Sequence, residues 1–361
     1  MRRVDSDTGE SEKNGFTPKE SFMRFVRVFS ALCVLTLTLA SVFAQAQTRW
    51  AVSKEIPLGG EGAWDYIAFD ASTHRLFITR TTHTMVVDSE SGKVLADIPG
   101  QLKAHGVAIV PASNRGFITD GGGKGTILVF DLTTYAVLGK LAALPDADGI
   151  IYDAGTGLLL VVSGDGNALL TFKPEIDPQT GKIDPPIQLG GAPEFLAADG
   201  QGKVFINLED KGVVAAVDLK ARKVLNRWPV APGGDPVGMS IDTAHGRLYI
   251  GCRNPQKLVA MRTSDGKVEG ALPIGAGVDA TSFAEGQAFA STRDGALTVG
   301  AFENGKFTGQ QEVKTALGAR TLVVDAASHR IWLPTADFEA DGAPRPKMKP
   351  GTFKIVVVEG K

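Results

Sequence analysis

The chain has 361 residues, 43% of them hydrophobic and 22% charged, with a formal net charge of -2. This is enough apolar content for a large core, and the near-balanced charge argues against general attraction to nucleic acid or an anionic membrane. Length alone suggests two domains, but the pattern described below occupies residues 47–361 as one.

The first 46 residues stand apart. Met1 to Glu20 is polar, charged and without periodicity. Arg24 and Arg27 then precede an apolar run of 14 residues, Ala31 to Ala44, followed by Ala44-Gln45-Ala46. A basic flank, a short apolar run and an A-x-A site describe a secretory signal peptide cleaved after Ala46, so a periplasmic or secreted location is expected. The run is too short to span a bilayer, and no membrane span is expected. Met23 stands directly before Arg24, so translation starts at Met1 or Met23. Leu32 before Cys33 does not give a lipoprotein signal, which wants a small residue there. Cys252 is then the one thiol of the mature chain, and no internal disulfide can form; its strand context predicts core packing.

From Asp65 to Gly100 the sequence is four short apolar runs separated by turns. Tyr66 to Phe69 and Leu76 to Thr79 flank the polar turn Asp70 to His74; a loop through His83 leads to Met85 to Val87, and Ser89 to Gly92 turns into Lys93 to Ile98. Such runs, rich in Val, Ile and Phe and split by Gly, Ser and Asp, predict an antiparallel meander. The turn recurs in degraded form, with its last residue at 75, 115, 158, 203, 247, 287 and 330, in steps of 40, 43, 45, 44, 40 and 43. A period in the low forties with four strands per unit predicts a β-propeller, and the seven units predict seven blades. The last unit runs out after Phe353 to Val358. Trp50 to Ile56 supplies the missing strand, so the N-terminal strand is expected to complete the last blade and close the ring.

The turn-plus-strand units His245-Gly246-Arg247-Leu248-Tyr249-Ile250 and His74-Arg75-Leu76-Phe77-Ile78-Thr79 resemble the YVTN-type repeat. The whole mature chain resembles the YncE-like seven-bladed propellers exported by bacteria. Its ending is similar too, with an insertion from Thr335 to Lys349, then Pro350-Gly351-Thr352-Phe353 and a final strand. Related propellers include lactonases, lyases, dehydrogenase subunits and binding scaffolds, so the resemblance implies a fold and no particular chemistry.

In a propeller the first strand of each blade is innermost, and its start opens on the channel mouth. The residues at that position are Asp65, His105, Asp148, Glu194, Val237, Asp279 and Arg320, with Asp235 two residues before Val237. These polar residues are the candidate ligand-binding set. They either solvate a water-filled channel or converge on a cation or polar substrate. Asp65, Asp148, Glu194 and Asp279 are the candidate metal ligands, and oxygen donors with one imidazole suit Ca²⁺, Mg²⁺ or Zn²⁺. Arg320 balances the carboxylates or grips an anion.

The loops between second and third strands add Arg80, His83, Asp120, Lys124, Asp165, Asn207, Glu209, Arg253 and Arg293. His83 and His105 are the candidate general acid or base. His74, His245 and His329 occupy equivalent turns on the opposite face and read as turn formers. Gly121 to Thr126 lacks the spacing of a phosphate loop and reads as a hairpin, and no nucleophile elbow, haem motif or cysteine cluster occurs. The insertion from Asp337 to Lys349 is long enough to lid the mouth or dock a partner.

The expectation is an exported, monomeric propeller that binds a small polar ligand or a protein partner at the channel mouth. The alternative is a metal-assisted hydrolase or lyase, lactonase-like, in which a carboxylate-held cation polarises the substrate and His105 or His83 moves a proton. Nucleic acid is a poor fit to so acidic a mouth.

Overall fold

Successive residues of the middle strands are all apolar because both faces of each sheet are covered. In Leu158–Ser163, Leu159 and Val161 pack with Phe117, Ile127 and Val129, whereas Leu160 and Val162 pack with Val204, Ile206, Ala215 and Val217. Side chains alternate across a strand, so one strand feeds two neighbouring cores. The outermost strands, such as Lys223–Pro229, have one wet face and read as mixed polar sequence.

The computed structural model describes residues 48–340 and 346–361. Residues 1–47, which include the expected signal peptide, lie outside the described residues, as do 341–345 of the insertion. The described strands form an all-β propeller of six antiparallel sheets, five four-stranded and one six-stranded. This corrects the expectation of seven blades. The first two sequence repeats share one sheet because their strands do not stop where the turns were expected. Arg75–Asp88 runs unbroken through His83, and Val94–Val110 continues from one repeat into the next. Hydrogen bonding therefore links the strands from Ile67 to Ala142 into a single sheet. It folds over its own core of Phe77, Ile98, Val107, Ile118, Leu128 and Phe130.

The last sheet contains both ends of the described chain. Trp50–Pro57 pairs antiparallel with Lys354–Gly360, from Trp50 opposite Gly360 to Pro57 opposite Lys354. Trp50 anchors this strand to the preceding sheet. Its ring meets Phe289 edge-on at 5.1 Å, its indole N–H donates to Gln287 Oε1 at 2.8 Å, and the amide side chain of Gln311 bonds its backbone N–H and C=O.

The recurrent Asp of the turn motif is explained by its hydrogen bonds. The Asp70 carboxylate accepts from Ser72 N and Oγ and from Thr73 Oγ1; Asp242 and Asp325 do the same for His245 and Ser328. These Asx turns fix the hairpin. His74 and His329 take the left-handed position of their turns, at φ 55° and 52°, so these histidines serve the turn. Cys252 is buried, and burial pushes its thiol up to about 12. Among the described residues no helix is long and apolar enough to cross a membrane.

Candidate functional site at the channel mouth

The innermost strands carry a repeated irregularity at their starts. The pairing register slips between Ala104 and Val107, Ala147 and Ile150, Pro193 and Leu196, Pro236 and Met239, and Val278 and Ala280. His105, Asp148, Glu194, Val237 and Asp279 thus sit on β-bulges, which release a residue from the ladder and re-aim its side chain. Close approach of the inner strands requires glycine beside two of them. A Cβ on Gly106 would lie 2.9 Å from Ile150 Cγ2 and 3.2 Å from the Asp148 carbonyl oxygen, and one on Gly149 would lie 3.0 Å from the Glu194 carbonyl.

A second device fixes the same positions from behind. The polar residue near the end of an apolar second strand reaches across to the next inner strand and donates to the carbonyl of its site residue. Thr79 Oγ1 bonds His105 O at 2.7 Å, Thr119 Oγ1 bonds Asp148 O at 2.5 Å, and Ser291 Oγ bonds Arg320 O at 2.7 Å. Asn207 Nδ2 bonds Val237 O at 2.8 Å and Gly238 O at 3.0 Å. Asn207 is therefore a support rather than a mouth-lining group. Thr79, Thr119 and Ser291 were not singled out from sequence; their signal is a buried polar residue closing an apolar run at the repeat spacing.

These supports surround a cavity of about 570 Å³. Six of the seven sequence-predicted binding residues, Asp65, His105, Asp148, Glu194, Asp279 and Arg320, line it. Arg253 and Arg293 from the loops also line it, as do Lys103 and Tyr66, which were not anticipated. The Tyr66 ring lies 4.8 Å from that of Phe195, and the two residues line a smaller space of about 80 Å³ next to the cavity.

The charged groups divide into two arrangements. On one side Asp279, 8% exposed, is held by Arg253 through Oδ1 and by Arg320 through Oδ2. Arg253 also donates to Glu209 at 3.0 Å, and Arg320 to the carbonyl of Trp64 at 2.9 Å. On the other side His105 Nδ1 lies 2.6 Å from Asp65 Oδ2 and 3.4 Å from Asp148 Oδ1. Burial opposes the imidazolium of His105, but the Asp65 hydrogen bond and the nearby carboxylate charges prevail and raise its pKa. Burial raises Asp65 as well, against the pull of His105. It pushes Asp148 up to about 7, with Asp65, Asp146 and Asp279 adding repulsion that His105 only partly offsets. Glu194 rises to about 9, first through burial and then through a hydrogen bond shared with the Glu209 carboxyl. Buried Asp148 Oδ1 and His105 Nε2 find no hydrogen-bond partner among the described residues.

Several expectations need correction. His83 does not join this cavity: it lies within the strand Arg75–Asp88, 3.5 Å from Asp97, and burial lowers its pKa. Asp235 is exposed in a left-handed position, and buried Val237 occupies the equivalent bulge. Arg80 is fully buried, donates to the carbonyls of Gly59, Glu61, Gly62 and Ala63, and lies 3.5 Å over the Phe353 ring. Asp120 caps the backbone of Leu102, Lys103 and Gly122; Lys124 and Asp165 are exposed. The mouth is also less acidic than its inner-strand residues suggested, because Arg253, Arg293 and Lys103 line it as well. Of the four candidate metal ligands, Asp279 is held by two guanidiniums, and Glu194 shares a hydrogen bond with Glu209 while still lining the cavity. The set that comes together is Asp65, His105 and Asp148, with donor atoms within 4.8 Å of one another.

No family model matches the chain, and no curated protein does. Solved structures do match. The crystal structure of RRP9 WD40 repeats aligns with a TM-score of 0.73 at 11% identity, covering 87% of this chain and 100% of that one. The structure of U3-55K aligns at 0.69 with 12% identity, covering 84% and 97%. A chain of Kuenenia stuttgartiensis hydrazine synthase aligns at 0.64 with 13% identity, covering 81% and 96%. At these identities the likeness shows the fold, a β-propeller with WD40-type neighbours. The resemblance to the YncE-like family is supported at that level alone.

Proposed function

We propose that the chain is an exported binding protein that captures a small polar ligand in the channel mouth, through a cationic group seated against Asp148 and Glu194. The observation that carries this reading is that Asp148 lines a 570 Å³ cavity while its buried Oδ1 has no hydrogen-bond donor among the described residues. A buried carboxyl without a hydrogen-bond donor is costly, and a ligand ammonium would add the donor and the positive charge that His105 only partly supplies. The propeller fold, whose WD40-type neighbours suit a scaffold that presents a rigid mouth, is consistent with this role.

The test is a thermal-shift and calorimetric panel of primary amines, amino acids and divalent cations on the full chain, repeated on Asp148→Asn. A cationic probe should raise the wild-type midpoint, and the substitution should remove the shift. A panel that leaves the wild type unmoved, or a shift that survives Asp148→Asn, would refute the reading.

A metal-assisted reaction has one observation in its favour, the Asp65, His105 and Asp148 donor set. One imidazole and two carboxylates suit Zn²⁺. The fit is incomplete: two donors on one tetrahedral zinc stand about 3.3 Å apart, whereas Asp65 Oδ2 and His105 Nδ1 are 2.6 Å apart. That spacing suits a proton between them, and a metal would have to spread the pair. In this reading Asp65, His105 and Asp148 would hold the ion, which would supply Lewis acidity. The divalent cations in the panel test it directly.

A further inference from the structure

A second cavity, of about 300 Å³, adjoins the first and differs in character. Its walls are mainly apolar, with Trp64, Leu317, Phe338 and Met348. Leu317 is 47% exposed, one of few large apolar side chains left so open. The two cavities share two residues, Arg293 and Arg320, so a pair of guanidinium side chains stands where the polar mouth passes into the apolar cleft. Arg320 is fixed there by Asp279 and by the Trp64 carbonyl, with its guanidinium carbon 5.6 Å from the Trp64 ring. The indole N–H of Trp64 is buried and has no acceptor among the described residues.

Resting on the binding reading above, we infer that the ligand is a small zwitterion with a large apolar side chain, of the class of an aromatic or long aliphatic α-amino acid. Its ammonium sits against Asp148 and Glu194, its carboxylate at Arg293 and Arg320, and its side chain in the Trp64–Leu317–Phe338–Met348 cleft. Charge order leads to this assignment. A ligand that extends from the carboxyl side into the cleft must pass two cationic side chains, which repel a simple amine and attract a carboxylate. The path between the two ends is short: Asp148 contacts His105 at 3.4 Å, His105 contacts Asp65 at 2.6 Å, and Asp65 approaches Arg320 at 3.7 Å. The apolar cleft then gains from covering a hydrophobic group that water would otherwise surround.

Calorimetry on the full chain with glycine, L-phenylalanine and phenethylamine separates the parts. L-Phenylalanine should bind about tenfold to a hundredfold more tightly than glycine, the range a hydrophobic pocket gives. Phenethylamine, which keeps the ammonium and ring but lacks the carboxylate, should bind more weakly than L-phenylalanine. A Leu317→Ser, Met348→Ser variant, altered at the cleft and away from the buried carboxyls, should lose the preference for L-phenylalanine while its affinity for glycine stays within twofold. Equal affinity for glycine and L-phenylalanine would overturn the inference and leave the binding reading standing. A preference that persists in the double variant, or phenethylamine equal to L-phenylalanine, would overturn it as well. Retention of tight L-phenylalanine binding by Asp148→Asn would instead remove the ammonium seat and the reading beneath it. Failure of all three probes would overturn the inference, and the broader cation panel would then decide the binding reading separately.

Discussion

Asp279 and Asp148 occupy equivalent bulges on inner strands of the same propeller, yet their charges are handled in opposite ways. Asp279 receives a guanidinium on each oxygen, and those guanidiniums are themselves tied to Glu209 and to the Trp64 carbonyl. Asp148 has an imidazole at 3.4 Å, further carboxylates around it and one buried oxygen without a donor. In the first arrangement both carboxylate oxygens are matched within the protein, and in the second they are not. A mouth built entirely in the first way would be rigid and inert; one built entirely in the second would be hard to fold. The clamped half gives the structure on which the open half can afford to wait for a ligand.

The largest expected effect breaks the clamp. Asp279→Ala leaves Arg253 and Arg320 without the carboxylate that holds them together, and this broken, partly buried network should cost about 3 kcal/mol of stability even though Glu209 and Asp65 remain near the two guanidiniums. Urea or thermal unfolding would measure it. Asp148→Asn, at the equivalent position, should instead leave the protein as stable as the wild type or more so at pH 8. A loss below 1 kcal/mol for Asp279→Ala, or a comparable loss for Asp148→Asn, would show that the two halves are not built differently.

A smaller effect follows from protonation. Glu194 and Asp148 have folded-state pKa values raised to about 9 and about 7 from ordinary values of 4.5 and 3.8. Above the ordinary value the unfolded chain releases its proton while the folded chain keeps it. The stability these groups contribute is therefore fully present below about pH 4 and is lost as pH rises through about 7 and then about 9. His105, whose pKa is also raised, acts in the same direction. The unfolding midpoint should thus decline between pH 5 and 9, and Glu194→Gln should flatten the upper part of that decline. An unchanged slope in the variant would place the proton elsewhere. A cationic ligand should bind better as pH rises, because it replaces those protons.

Much of the fold is written in the turns. The Asp that begins each turn and the His, Asn or Gly in its left-handed position recur because one local hydrogen-bond pattern recurs, and local patterns survive in sequence. The number of sheets is not local. It depends on whether a strand breaks at a loop, and nothing in Arg80-Thr81-Thr82-His83 or Pro99-Gly100-Gln101 declares that Arg75–Asp88 and Val94–Val110 run on. The same continuity removed His83 from the mouth. Inner-strand alignment found the carboxylates and His105 because equivalent bulges present equivalent residues. The loop positions Arg253 and Arg293 were legible in the same way, but Lys103 was hidden because it lies inside the unexpectedly long strand Val94–Val110.

The smallest predicted effect sharpens the comparison most finely, because it leaves every charge in place. Thr119 and Ser291 perform the same task, each donating to the carbonyl of the next inner strand's site residue, Asp148 for one and Arg320 for the other. Ser291→Ala removes one hydrogen bond to a carbonyl and should cost about 1 kcal/mol of stability, whereas Thr119→Val also removes the acceptor of the Gly106 N–H and should cost about 2 kcal/mol. Their effects on ligand affinity should differ. Arg320 keeps its place after Ser291→Ala because Asp279 and the Trp64 carbonyl still hold its guanidinium. Asp148 has no comparable side-chain anchor, so its bulge should loosen in Thr119→Val, and affinity for a cationic probe should fall several-fold while Ser291→Ala stays within twofold. Unfolding and calorimetry on the two variants give both numbers. Equal affinity losses would mean that the clamped half also takes the cation, and that the division of the mouth into a finished half and an open half does not govern binding.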